Sequence, residues 1–292
     1  MAPHIPFSRL PGATALVNRL EVLPGLAGQL LTDTGPLARL SASLKLPFYQ
    51  EVRILAGYRA MRSHPLWHNP PAALGGLPVL VVGGLASSPR ILGPMQDWLQ
   101  HIGARTLLAP TQYGIACGER TAAAVTDALA RHVDATGERA VIVAHSRGGQ
   151  FARPIAVRRP DLVRGLITLG SPLTRLLGAH PIVLLEVLGL GVLGSLGIPG
   201  LIRASCLWGE CCRQLRDDLV GPFPADVPFV SVYSRNDEVV PWQASLDPAA
   251  RYREVSTTHS GLIASPATFE LLAQELVLLV DRSPDADLAV AS

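Results

Sequence analysis

Residues 141–149, Val-Ile-Val-Ala-His-Ser-Arg-Gly-Gly, constrain the fold of this chain most. They read as a buried strand driven through one sharp turn into a helix. Small and β-branched residues from Ala140 to Val143 suit a central strand covered on both faces. Gly148 and Gly149 remove the side chains that would clash where the helix crosses back over that strand. Such a turn lifts the Ser146 hydroxyl clear of the sheet and aims the first helical N–H groups at whatever lies in front of it. The pattern is G-x-S-x-G with alanine, Ala144, in the first position.

Length and composition leave room for this reading. A chain of 292 residues suits one large α/β domain with additions, or two small domains. Hydrophobic residues make up 48% and charged residues 16%, which excludes a disordered or nucleic-acid-binding composition. The formal charge of +2 offers no steering argument, and Lys45 is the only lysine. The start lacks a basic segment followed by an uninterrupted apolar run, so no secretory signal is read and a cytoplasmic location is expected. Cys206, Cys211 and Cys212 cluster along the chain while Cys117 stands apart. No paired histidines complete a zinc pattern, so no metal or organic cofactor is implied; a disulfide within the cluster and unpaired buried thiols both stay open.

From residue 77 onward the chain alternates strand and helix at short intervals. Leu77 to Val82 is an unbroken apolar run bounded by Gly83 and Gly84. A helix over 90–102, a strand over 104–109, a helix over 119–136 capped by Gly137, and the strand before Ser146 follow. Next come a helix over 147–159, in which Pro154 costs about 3 kcal/mol unless the helix kinks, and a strand over 165–169. Strands over 227–234 and 252–257 and a helix opened by Ser265 and Pro266 complete the pattern. Such alternation calls for right-handed crossovers and a mostly parallel sheet flanked by helices, with ligands beyond the carboxyl ends of the strands. Residues 1–76 read as an N-terminal helical segment and linker, 77–282 as the α/β domain, and 283–292 as a disordered tail.

Residues 172–224 interrupt the alternation with an apolar stretch from Pro181 to Ile202. Its length would span a bilayer, but Glu186, several glycines and Pro199 argue against that. A helical cap over the strand ends is expected, with Leu185 facing an apolar pocket.

A serine hydroxyl needs a base, and the base needs a carboxylate to fix its tautomer. Asp237 follows the strand over 227–234, and His259 follows the last strand. Three strand-end placements in the order Ser, Asp, His suit nucleophilic catalysis by Ser146 with His259 as base and Asp237 as acid. Glu238 competes with Asp237, although the apolar pair Val239-Val240 favours residue 237 pointing inward. Oxyanion donors are expected at the backbone N–H groups of Arg147 and of Leu85 in the loop after the first strand.

The segments GLASS, AHSRGGQFARPIAVRRPDLVRGLITLGSPL, SCLWGECC, PFVSVYSRNDEVVPW and THSGL resemble the α/β-hydrolase superfamily, and within it bacterial, often actinobacterial, lipase- or esterase-like serine hydrolases. The resemblance covers about residues 77–282 and implies the same roles for Ser146, Asp237, His259, Leu85 and Arg147. It also implies a sheet that starts late, with helical sequence in place of two earlier strands. Ser245 and Ser260 stand where such relatives tend to carry cysteine. The expected activity is cleavage of carboxylic esters with apolar acyl groups. Thioester cleavage or acyl transfer and cyclisation on the same triad, and non-catalytic binding on this fold, are the alternatives. The expected partner is a small apolar ester or thioester, with transient contact to a lipid surface through the cap and no nucleic acid.

Overall fold

The computed structural model describes residues 54–70, 73–174 and 178–280. The N-terminal helical segment before residue 54 and the tail over 283–292 lie outside the described residues. Helices α1 (Ile54–Ser63) and α2 (Pro65–His68) precede β1 (Pro78–Val82). The alternating part continues with α3 (Pro89–His101), β2 (Arg105–Leu108), α4 (Gly118–Thr136), β3 (Ala140–His145), α5 (Gly148–Arg158) and β4 (Val163–Leu169). The insertion folds as α6 (Pro181–Ser195), α7 (Ala204–Leu207) and α8 (Arg213–Val220), after which β5 (Phe229–Tyr233), β6 (Arg251–Glu254) and α9 (Pro266–Val280) finish the layer.

Caps set several of these boundaries. Ser88 Oγ accepts from the Ile91 N–H at the start of α3, with Pro89 in the first turn. Gly137 ends α4 at φ 76°, the left-handed conformation that costs glycine nothing. Ser265 Oγ accepts from the Thr268 N–H at the start of α9. Helix α5 runs on through Pro154, whose side chain is buried.

All six strands are parallel, in the order β2-β1-β3-β4-β5-β6. Every residue of β1 and β3 is buried, whereas β2 and β6 at the edges are partly exposed. The period of two sorts the side chains onto two layers. Leu80, Val82, Ile142 and Ala144 pack with Phe151, Ile155, Leu207 and Leu215 on one face. Val79, Val81, Val141 and Val143 pack with Met95, Trp98, Phe269 and Leu276 on the other.

The strand order reverses direction between β1 and β3, so the connections leaving these two strands diverge and open a crevice at their carboxyl ends. Val82 pairs with Ala144, which brings the loop beginning at Gly83 level with the turn at Ser146.

The insertion is helical, as expected. No helix among the described residues is long and apolar enough to cross a membrane. Two expectations are corrected. Leu185 is 66% exposed on α6, and it is Leu184 and Val187 that turn inward; the helix has apolar residues all round, so sequence could not tell its faces apart. Cys117 does not stand apart: its Sγ lies 3.5 Å from that of Cys211 and 3.6 Å from that of Cys212. A separation of 94 residues is closed by the packing of α4 against the insertion.

Candidate active site

Ser146 sits in the turn between β3 and α5 at φ 55°, a conformation that non-glycine residues adopt at a cost of order 1–3 kcal/mol. Its N–H donates to the Leu169 carbonyl at 2.9 Å, which holds the turn onto the end of β4. Two close approaches explain the glycines around it. A Cβ on Gly148 would come within 2.4 Å of the Val82 carbonyl oxygen, and one on Gly149 within 2.4 Å of the Ser171 side chain. Helix α5 therefore crosses β1 and the β4 loop at distances only glycine permits.

The loop after β1 lies directly on this turn. A Cβ on Gly84 would stand 2.8 Å from the Arg147 nitrogen and 2.9 Å from the Ser146 Cβ. Leu85 is thereby placed beside the turn. The Gly84 N–H donates to Ser87 Oγ and the Ala86 N–H to the Tyr113 carbonyl, while Gly114 packs against the Gly84 carbonyl. Ala86, Gln112, Tyr113 and Ser146 are the non-glycine residues with positive φ among the described residues. All four lie in the loops that leave β1, β2 and β3. Backbone strain among the described non-glycine residues is thus concentrated at one end of the sheet.

The acid and base expected from the sequence meet. His259 Nδ1 donates to Asp237 Oδ2 at 2.7 Å, with the Asp237 side chain 2% and the His259 side chain 7% exposed. The other carboxylate oxygen of Asp237 accepts from the N–H groups of Val239 and Val240, both at 2.8 Å. A carboxylate so tied cannot rotate away from the imidazole. Glu238 is exposed, and the inward residue of the pair is Asp237. Gly170, at φ +55°, leaves the space behind this pair: a Cβ there would stand 3.0 Å from Asp237 Oδ2 and 3.3 Å from His259 Nδ1.

Sequence alone gives no reason to single out His145, the residue before Ser146, yet it joins the two halves of the site. Its ring centroid lies 4.7 Å from that of His259, and its Nε2 donates to the His259 carbonyl at 3.1 Å. A carbonyl only accepts, so His145 carries its proton on Nε2. Burial, reinforced by the nearby His259, pushes its pKa down to about 3, so it is neutral at physiological pH.

The Arg147 side chain is half-buried and reaches no carboxylate among the described residues. Its Nε is sealed without a hydrogen-bond partner, and its guanidinium lies 5.5 Å from the centre of the Phe151 ring. Burial lowers its pKa, and the groups that oppose this are Cys212, Cys206 and Cys117. Ser245 and Ser260 are buried, and neither hydroxyl has a partner among the described residues.

The insertion is fastened around the site. The His180 N–H, at the start of α6, donates to the Val239 carbonyl in the acid loop, and the Ile202 N–H donates to the Ile115 carbonyl in the loop after β2. Leu85, Val187, Leu188 and Ile202 belong to one apolar cluster.

No family model matches this chain, and no curated protein matches it in sequence. Solved structures do. A metagenomic carboxyl esterase superposes with a TM-score of 0.53 at 16% identity, over 72% of this chain and 77% of its own. The mature form of a Bacillus licheniformis lipase gives 0.54 at 16% identity, over 71% and 94%. An α/β-hydrolase enzyme from a lagoon-sediment metagenome gives 0.50 at 20% identity, over 70% and 92%. Together with the parallel sheet and its flanking helices, these matches give the chain the α/β-hydrolase fold.

Proposed function

We propose that this protein is a serine hydrolase that cleaves carboxylic esters with apolar acyl groups. The observation that carries the reading is the buried Asp237–His259 hydrogen bond, whose histidine packs against the residue next to the strained Ser146. Ser146 Oγ attacks the ester carbonyl while His259 Nε2 takes its proton. The Leu85 and Arg147 backbone N–H groups donate to the developing oxyanion. His259 then returns the proton to the leaving alcohol, and a water molecule, activated by the same imidazole, releases the acid. Asp237 holds the tautomer and stabilises the imidazolium. Esterases and lipases among the structures of this fold support ester chemistry.

The apolar acyl preference rests on Leu85, Val187, Leu188 and Ile202, which gather uncharged surface beside the oxyanion loop. Contact with lipid surfaces rests on Leu185, Val192, Leu193, Leu196 and Ile198, all exposed on α6 and the turn after it.

Steady-state hydrolysis of p-nitrophenyl butyrate by His259→Ala, Asp237→Asn and the double variant tests the triad. Each single change is expected to lower kcat by about 10⁴ or more, with the double variant hardly worse, because the members act as a unit. Multiplicative losses, or full activity in Asp237→Asn, would overturn the assignment.

A further inference from the structure

The four cysteines meet at one place outside the triad. Cys117 precedes α4, Cys206 lies in α7, and Cys211 and Cys212 lie in the 3-10 turn that leads into α8. Their four Sγ atoms all lie within 4.8 Å of one another. The Cys117–Cys211, Cys117–Cys212 and Cys206–Cys211 separations are 3.5, 3.6 and 3.6 Å. Thiolates at about 2.3 Å from a central zinc stand roughly 3.8 Å apart along the edges of the tetrahedron. A disulfide instead draws one pair to about 2.0 Å and leaves the other two sulfurs out. The mutual spacing here fits the tetrahedron. Cys117, Cys206 and Cys212 are buried and Cys211 is exposed, which leaves an entry path for an ion.

Arg147 is the second, independent observation. Its buried Nε has no hydrogen-bond partner, no carboxylate among the described residues pairs with it, and its guanidinium lies over the Phe151 ring, which together with Cys212 Sγ adjoins Gly118. A guanidinium in such a place needs a negative neighbour. Four neutral thiols supply none, whereas a divalent cation held by four thiolates leaves an anionic centre.

We infer that Cys117, Cys206, Cys211 and Cys212 form a closed structural site for one zinc ion, with Arg147 as its counter-charge. Binding replaces the four thiol protons by Zn²⁺ and releases those protons, with no change of oxidation state. Four protein ligands fill the coordination sphere, so the ion takes no part in catalysis. It ties α7 and the start of α8 to the start of α4. The sequence implied no metal because no paired histidines complete a zinc pattern and Cys117 lies 94 residues from Cys211.

The test is the zinc content of the full chain, purified without chelators from cells supplied with zinc. Elemental mass spectrometry is expected to find roughly one zinc per chain, with the four thiols blocked to a thiol reagent until denaturation releases the metal to a colorimetric chelator. Cys211→Ser, which changes the exposed ligand, is expected to lose at least tenfold more zinc on dialysis against a mild chelator. Metal-free protein with four reactive thiols, or a mass lower by four hydrogens from two disulfides, would overturn the site. The wild-type measurement decides even where a cysteine variant does not fold, and it does so independently of whether Ser146 is the nucleophile.

Discussion

At Ser146 the backbone holds a conformation that costs energy, and in the proposed mechanism that conformation serves to position one hydroxyl. Ser146→Ala is expected to keep the fold, since the turn is fixed by Gly84, Gly148 and Gly149, and to lower kcat by several orders of magnitude. An unchanged circular dichroism spectrum with lost ester turnover is the expected pair of results. His145 makes a different, pH-dependent contribution. Its folded pKa, about 3, lies below the ordinary 6.5. Its stabilising effect is complete above pH 6.5 and is lost as pH falls toward 3, because over that window the unfolded chain binds a proton that the folded chain refuses. The slope from this residue is at most about 1.4 kcal/mol per pH unit. Urea titrations between pH 6.5 and 5, above the carboxylate range, should therefore show a shallower decline in His145→Gln than in wild type. Parallel declines would mean that His145 is not held neutral. Ser245 offers a milder test: its buried hydroxyl lacks a partner, so Ser245→Ala should leave thermal stability unchanged or raise it slightly.

Two contacts decide how the elements around the site are spaced. Helix α5 passes so close to β1 that Gly148→Ala must push it off the Val82 carbonyl. A loss of about 1–3 kcal/mol in chemical denaturation is expected, with activity falling as well because the Arg147 N–H moves with the helix. Farther along α5, Arg153 pairs with Asp247 at 2.5 Å, both side chains 3% exposed, and it also donates to the carbonyls of Asp218 and Gly221. Arg153→Met strands a buried carboxylate and should cost about 3–5 kcal/mol. Adding Asp247→Leu should recover part of that loss but not all, since Asp247 also accepts from the Ala249 N–H. The strands and helices from β1 to β4 were legible in the sequence because short unbroken apolar runs, helical stretches between them and glycine or proline stops mark them locally. The meeting of Asp237 with His259 was legible too, since both stand just past strand ends in a parallel sheet. What was not legible depends on distance in space. The outward turn of Leu185 was hidden because α6 carries apolar residues on every side, Cys117 reaches the other cysteines only through packing, and His145 gains its contact to His259 only once β3 and the last loop are side by side.

For the molecule as a whole, the proposed apolar acyl pocket draws on the insertion over 172–224, whose Val187 and Ile202 cluster with Leu85. Each methylene that fits an apolar acyl pocket contributes about 0.8 kcal/mol, or roughly fourfold in kcat/KM. A series of p-nitrophenyl esters should therefore rise beyond acetate before it falls. Val187→Asp, on the inward face of α6, should flatten that rise. Leu196→Glu, at a residue 71% exposed, should leave soluble short esters unaffected and slow hydrolysis only of esters presented in aggregates. A profile peaking at acetate would remove the reason for an apolar substrate. The central claim is that Ser146 is the nucleophile of a working triad, and covalent labelling tests it most directly. Wild-type protein treated with a fluorophosphonate probe, digested and sequenced by mass spectrometry, should carry the label on Ser146, and Ser146→Ala should carry none. A folded wild-type protein that takes no label, or a label that persists in Ser146→Ala, would contradict the account.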